Sequence, residues 1–472
     1  MDKDLAEFSI KHIQDLGASY AEARLDSSAG NSCLIKNSIP QISSFEHVTG
    51  LGVRFIVNNT LGFMSTNTLD KENIKTLLKK SFNVTQHASR LSENTTFAEE
   101  QAHQHTYAVP QKIPYENVGY DEKVGLLLDA DKHMRDNNVK IVGSFLSLSD
   151  NVIREYFVNT EGSKIDTTVP KASFYYVLTV QEGDKSAQRY WQYGGSGGYE
   201  IVKQWNIPEL LAHEITSTHE NLQKGVRPPT GKLDVVVAPQ VVAIMAHESV
   251  GHPYEADRIL GREAAQAGES FLSKDMQGHQ IGSEHVTVID DPTIEGGFGF
   301  YLYDNEGVKS RKRVLINNGK VEEFLHNRAT ASELGTTSNA AARAIGYDRE
   351  PIIRMANTVL EPGDFSEEEL IEGVKHGVFM KNFMEWNIDD KRLNQKYVGA
   401  ESYLIKNGKL AEPLAQPTIE INTPDLWKAV DGVAKNTEYH SGTCGKGEPC
   451  QAAPVWFGGP SIRLRNIILS GH

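Results

Sequence analysis

The sequence predicts an α+β protein, an α/β N-terminal half with antiparallel meanders and flanking helices followed by a β-rich C-terminal half, on three observations. Short β-rich runs alternate with amphipathic helical stretches up to about residue 228. A Pro/Gly break, Val226-Arg-Pro-Pro-Thr-Gly231, then interrupts the pattern, and beyond about residue 285 strand-like runs closed by Asn-Gly or Glu-Gly turns dominate. At 472 residues the chain exceeds one ordinary core, since domains usually run to about 100 to 200 residues. Domains are therefore expected at 1–228 and 229–472.

In the first half, Leu5, Phe8, Ile13 and Leu16 share a helical face over residues 4–16, and Gly17 supplies a stop. From Tyr20 to about Thr66 the chain reads as an antiparallel meander, clearest in Gly52-Val-Arg-Phe-Ile-Val57 and turning at Asn58-Asn59. Asp70 can cap a helix running to about His87, and the polar residues 89–117 read as a long surface connection. A second round follows: a helix over about 121–136, β-rich runs around 141–148, 156–159 and 173–180, and a helix over about 208–222. The order helix, meander, helix thus occurs twice, which hints at an internal duplication. After the break, the β-branched run Leu233-Asp-Val-Val-Val-Ala238 reads as a buried strand feeding, past Pro239, the apolar helical stretch Val241-Val-Ala-Ile-Met-Ala246. Farther on, Val314-Leu-Ile-Asn-Asn-Gly-Lys-Val and Tyr403-Leu-Ile-Lys-Asn-Gly-Lys-Leu carry hairpin signals.

Composition bounds the function. Hydrophobic residues make up 39% and charged residues 23%, the balance of a folded chain. The net charge of −14 argues against nucleic acid as a partner, because such binding relies on a basic surface that displaces counterions. The local cluster Lys309, Arg311, Lys312 and Arg313 reads as a solvated strand or turn. Acids follow Met1 where a signal peptide needs positive charge, and no apolar run is long enough to span a bilayer. Three cysteines give no disulfide framework and fit a reducing compartment, so the expected location is cytoplasmic, with no membrane partner.

The informative residues are His247-Glu248-Ser249-Val250-Gly251-His252, at the end of the apolar helix. Burying two imidazoles and a carboxylate costs several kcal/mol by order of magnitude unless they are paired or bind a metal. Neutral imidazole suits zinc, and a carboxylate that does not ligate can act as a base toward water. The spacing is unusual, because five residues leave side chains about 140° apart on an ideal helix. Both imidazoles reach one ion only if the helix widens by a π-type turn or breaks near Gly251.

A catalytic zinc usually takes three protein ligands. Glu255 lies close enough to contribute, with Asp257 and Glu263 extending an acidic stretch that otherwise reads as a solvated helical face. Far along the chain, Ser441-Gly-Thr-Cys-Gly-Lys-Gly-Glu-Pro-Cys450 offers Cys444 and Cys450 as soft ligands in a Gly-rich loop. His103 and His105 fall in the polar connection and Cys33 in a strand-like run, where a small buried hydrophobe is the better reading. Gly194-Gly-Ser-Gly-Gly198 lacks the Lys-Ser/Thr ending of a phosphate loop.

At these residues the chain resembles the TldD/PmbA family of metallopeptidases, in its TldD branch. His247, Glu248 and His252 match a His-Glu-x-x-x-His motif, and Cys444-Gly445-Lys446 matches a C-terminal Cys-Gly-Lys loop whose cysteine is the third ligand. The likeness extends to Gly50-Leu-Gly-Val-Arg54, Arg354-Met-Ala-Asn-Thr358, Tyr403-Leu-Ile-Lys-Asn-Gly-Lys409 and Gly459-Pro-Ser-Ile-Arg463, so it covers nearly the whole chain. It implies an α/β N-terminal domain, a β-rich C-terminal domain carrying the metal-site helix, and a dimer enclosing the active site. The dimer is a homodimer or a heterodimer with a paralogue lacking the metal motif, and the substrates are short unstructured peptides. The family also carries an old label as modulators of DNA gyrase. Residues 384–392 depart from the Gly-rich run of the bacterial branch, and Cys450 adds a second thiol.

The expectation is a zinc-dependent peptidase with His247, His252 and Cys444 as metal ligands and Glu248 as general base. An extended peptide would enter along a strand edge. The alternatives are a non-catalytic zinc scaffold, its site closed by Cys450 or Glu255, and a regulator of a DNA enzyme.

Overall fold

The β-branched run that follows the Pro/Gly break forms the strand Gly231–Val237, inside a nine-stranded sheet between the strands His376–Met380 and Ile462–Gly471. The computed structural model describes residues 1–41, 44–263 and 268–471. Covered on both sides, Val235, Val236 and Val237 are fully buried, as a near-continuous apolar run requires. The chain then enters the helix Pro239–Ala246, with Pro239 in its first turn, where a missing N–H costs nothing. Val241, Val242, Ile244 and Met245 are all buried on this helix. Each contributes about 1.5–3 kcal/mol of burial, enough together to offset the several kcal/mol of carrying polar side chains inward at its end.

A six-stranded sheet lies beside that helix. It runs in the order Lys320–Val321, Arg313–Asn317, Val288–Asp290, Asn357–Leu360, Gln451–Gly459, Glu438–Lys446. Its last two strands form a hairpin in which Cys444 stands opposite Ala453. The cluster read as a solvated turn does not behave as one unit. Arg311 is exposed and paired with Glu323, but Arg313 is fully buried in an ion pair with Asp290.

The N-terminal half contributes an eight-stranded sheet. Four strands, Thr60–Thr66, Ser44–Val57, Tyr20–Lys36 and Ile141–Asn159, lie side by side, and Lys164–Glu182 then pairs with both Lys185–Ser196 and Gln104–Ala108. The helices Asp4–Asp15, Lys71–Ala88, Tyr120–Arg135 and Ile207–Lys224 fall where the pattern predicts, and Asp70 caps the second by accepting from the Asn73 amide. Two expectations change. The separate runs at 141–148 and 156–159 are one long strand, because its neighbours on both sides pair with it through the polar residues between them. The presumed surface connection holds the strand Gln104–Ala108, which its pairing with Lys164–Glu182 creates despite the polar sequence. Among the described residues, no helix is long and apolar enough to cross a membrane.

Candidate metal centre

The helix does not end at Ala246. It widens into a π-helical turn, His247–Gly251, and tightens into a 3-10 turn, His252–Tyr254. The His252 amide donates to the His247 carbonyl, the i to i+5 bond of a π turn. This settles the spacing, since residues five apart then share a face. The two imidazoles stand 4.9 Å apart between ring centres, edge to face. Gly251 is required by close packing, because a β-carbon there would lie 1.8 Å from Met355 Sδ. Ser249 Oγ donates to the Met245 carbonyl and accepts from Trp427 Nε1 at 3.0 Å, which ties the widened turn to a buried indole.

Cys444 arrives from the facing hairpin. Its Sγ lies 3.2 Å from His252 Nε2, and one ligand atom from each of His247, His252 and Cys444 falls within 4.8 Å of the others. The Phe457 ring, on the same hairpin, sits 5.2 Å from the His247 ring and shields it. Cys450 is exposed in the hairpin turn and lies outside this cluster.

Glu255 reaches the cluster as the partner of a ligand. Its Oε2 lies 3.1 Å from His252 Nδ1, so Nδ1 carries the proton and Nε2 presents its lone pair toward Cys444. The same oxygen accepts from Arg258 Nε at 3.0 Å and lies 3.1 Å from Lys446 Nζ, which also bonds Asp257 at 2.7 Å. Burial alone would raise the Glu255 carboxyl, yet Lys446, His252 and Arg258 outweigh it and hold the group well below the carboxylate range. Glu255, Asp257 and Glu263 therefore do not form a solvated face. Glu255 and Glu263 are buried, and Glu263 pairs with Arg258 at 3.2 Å.

The donor set fits a zinc ion. Burial holds both imidazoles below their ordinary value and so neutral, and His247 Nδ1 is buried without a hydrogen-bond partner among the described residues. Burial raises the Cys444 thiol, but His252 and Arg354 overcome it and bring the group down to about 7. Two neutral nitrogens and an acidic thiol are the ligands zinc takes, and tetrahedral zinc needs its ligand atoms about 3.3–3.8 Å apart, which the observed separations bracket.

Glu248 is buried beside His247, and its Oε2 accepts from Arg392 Nη1 at 2.7 Å. Arg392 is a partner of the candidate base that sequence reasoning missed. It lies in a turn with positive φ, 61°, its carbonyl accepting from Thr423 Oγ1 and its amide donating to the Asp389 carbonyl. An arginine in Asp-Asp-Lys-Arg reads as solvated, and nothing nearby in sequence turns it inward. Residues 384–392, singled out only as a departure from a family pattern, thus supply a direct partner of the candidate base.

Comparison with known proteins agrees in extent. Family models match along most of the chain: PmbA/TldA metallopeptidase domain 1 at residues 21–84, the central domain at 113–220 and the C-terminal domain at 230–471. The chain is 33% identical to a metalloprotease of Methanocaldococcus jannaschii, covering 96% of this chain and 97% of that one. It is 26% identical to a zinc metalloprotease TldD homolog of Saccharolobus solfataricus, covering 98% and 99%. Among solved structures, TldE from Thermococcus kodakarensis superposes with a TM-score of 0.76 at 17% identity over 99% of both chains. A Thermotoga maritima protein described as a candidate modulator of a DNA gyrase gives 0.78 at 16% identity over 100% of both. At these identities the structural matches speak for the fold.

Proposed function

The chain belongs to the PmbA/TldD metallopeptidase family, and on that premise we propose that it is a zinc-dependent peptidase of the TldD branch that hydrolyses short unstructured peptides. The observation that carries this reading is the convergence of His247, His252 and Cys444 on one point, with Glu248 next to the first of them.

His247, His252 and Cys444 would hold the ion, and bound zinc supplies Lewis acidity, which lowers the pKa of water and polarises a carbonyl. Glu248 takes a proton from the attacking water and returns it to the leaving amine. Arg392 fixes Glu248 Oε2, so the transfer falls to Oε1 and the carboxylate keeps one orientation through the reaction. Glu255 does the corresponding work for His252, holding the ring with Nε2 toward the shared point. An extended peptide pairing along an exposed strand edge of the C-terminal half would be bound through its backbone with little regard to sequence.

A closed scaffold site is less well supported, because both Cys450 and Glu255 stand outside the cluster of His247, His252 and Cys444. A regulator acting directly on DNA fits poorly with a net charge of −14. The resemblance and the sparse cysteines support a cytoplasmic protein that works as a homodimer or with a paralogue lacking the metal motif.

The test is cleavage of an unstructured peptide library by zinc-loaded protein, alone and with any co-purifying paralogue. Cleavage abolished by a chelator and restored by zinc is expected. Cleavage that persists after the metal is removed, or a complete lack of cleavage by the loaded protein with its partner, contradicts the reading.

A further inference from the structure

A cavity of about 640 Å³ lies between the N-terminal sheet and the six-stranded sheet, and its volume is that of a small-ligand site. It shares a wall with the metal centre. Thr443 and Pro454, paired across the hairpin, line the cavity, and Cys444, next to Thr443 along the strand, points the other way.

Its floor is one face of three neighbouring strands, and the charges on that floor are sorted. Asp26 pairs with Glu155, and Glu155 with Thr167, in a single row across the sheet. Lys171 stands on the same strand as Thr167 and the same face, about 13 Å along at a rise of ~3.3 Å per residue. Arg343 comes down on the Lys171 end from the roof.

The basic end is not neutralised from within. Lys171 and Arg343 are 7% and 8% exposed, and their bonds go to carbonyls: Lys171 Nζ to Phe298, Arg343 to Met355 and Pro454. Among the described residues neither forms an ion pair, and Asp290, which acts on Arg343, is bound to Arg313. Burial, with Arg343 beside it, pushes the Lys171 ammonium well below its ordinary value. At the opposite end Asp26 Oδ1 is buried without a hydrogen-bond partner, and Oδ2 has one long ion pair, with Arg24 Nη1 at 4.0 Å. Glu155 accepts from Asn305 Nδ2 at 2.7 Å, and burial and Asp26 raise its carboxyl. Asp304 is already engaged by the amides of Glu306, Val308 and Ala342.

A basic end without a counter-ion and an acidic end with a free buried oxygen, set at a fixed separation, suit a ligand with both charges. We propose that this cavity binds a short zwitterionic peptide of about two to four residues, its α-carboxylate on Lys171 and Arg343 and its α-ammonium on Asp26 and Glu155. The choice of a peptide among zwitterions rests on the peptidase reading, and the site then holds small peptides on the far side of the wall from the centre that releases them.

The test is calorimetric titration of trialanine, N-acetyl-trialanine and trialanine amide into the full-length Glu248→Gln protein. Trialanine should bind, and blocking either end should weaken it by about tenfold or more. Lys171→Met should erase the penalty for amidation and keep that for acetylation, and Asp26→Asn with Glu155→Gln should do the reverse. Blocked peptides that bind as well as trialanine, or no binding at all, overturn the proposal. So do penalties unchanged in the variants, which would put the peptide at the metal centre. The blocked peptides probe the unaltered cavity, so the result does not hang on a variant that fails to fold. Cleavage of longer peptides by the parent, measured separately, tells failure of this site from failure of the peptidase reading.

Discussion

Cys444 and Cys450 share one hairpin and differ in surroundings, the first beside His252 and the second exposed at the turn. Cys444→Ser should therefore strip zinc while Cys450→Ser keeps about one ion per chain, as read by metal analysis after gel filtration. The reverse result would assign the ligand to the wrong thiol. Glu255→Gln keeps the shape of the side chain but removes the charge that orients His252, and should weaken zinc binding by about 10- to 100-fold in a competition assay with a chelator. Unchanged affinity would mean that the ring is held by packing alone. At this scale His247, His252 and Glu248 were legible as candidates, because polar groups at the end of a buried helix need a purpose. Glu255 was legible only as a carboxylate near the site. Its role depends on Lys446, which is distant in sequence, and Arg392 left no signal at all.

The π turn is the element on which the centre depends. Gly251→Ala would drive a β-carbon into the buried Met355 side chain, and relief requires that side chain or the turn carrying His252 to shift. Overpacking of this kind costs about 1–3 kcal/mol, so a lower unfolding midpoint and weaker zinc binding are expected, both partly restored by adding Met355→Ala. A variant as stable and as well metallated as the parent would show that the turn has slack. Asp290→Asn tests another element. It leaves the buried Arg313 without its counter-charge and should cost about 3–5 kcal/mol by denaturant unfolding, whereas a change under about 1 kcal/mol would mean the pair is solvated as the sequence suggests. Helices with a clear apolar face and hairpins with Asn-Gly turns were readable at this scale. The strand Gln104–Ala108 was not, because only its pairing makes it a strand, and the buried Arg313 was hidden among exposed basic neighbours.

At the scale of the molecule, the centre is assembled from pieces that local pattern cannot join. The cysteine and the histidine that touch are separated by 192 positions, and Arg392 and Glu248 by 144. The order of elements could be read from hydrophobic period and turn residues, whereas which hairpin faces which helix is decided by sheet order. Only the likeness of the whole chain to a family singled out Cys444. If this assembly is a hydrolytic centre, Glu248 is the residue whose work depends on it. Glu248→Gln keeps the shape and a hydrogen-bonding group but cannot take a proton from water. Measured on zinc-loaded protein against an unstructured peptide that the parent cleaves, the variant should retain its metal and its peptide affinity and lose about 10²- to 10⁴-fold in kcat. A variant that keeps its zinc and cleaves as fast as the parent would contradict the account.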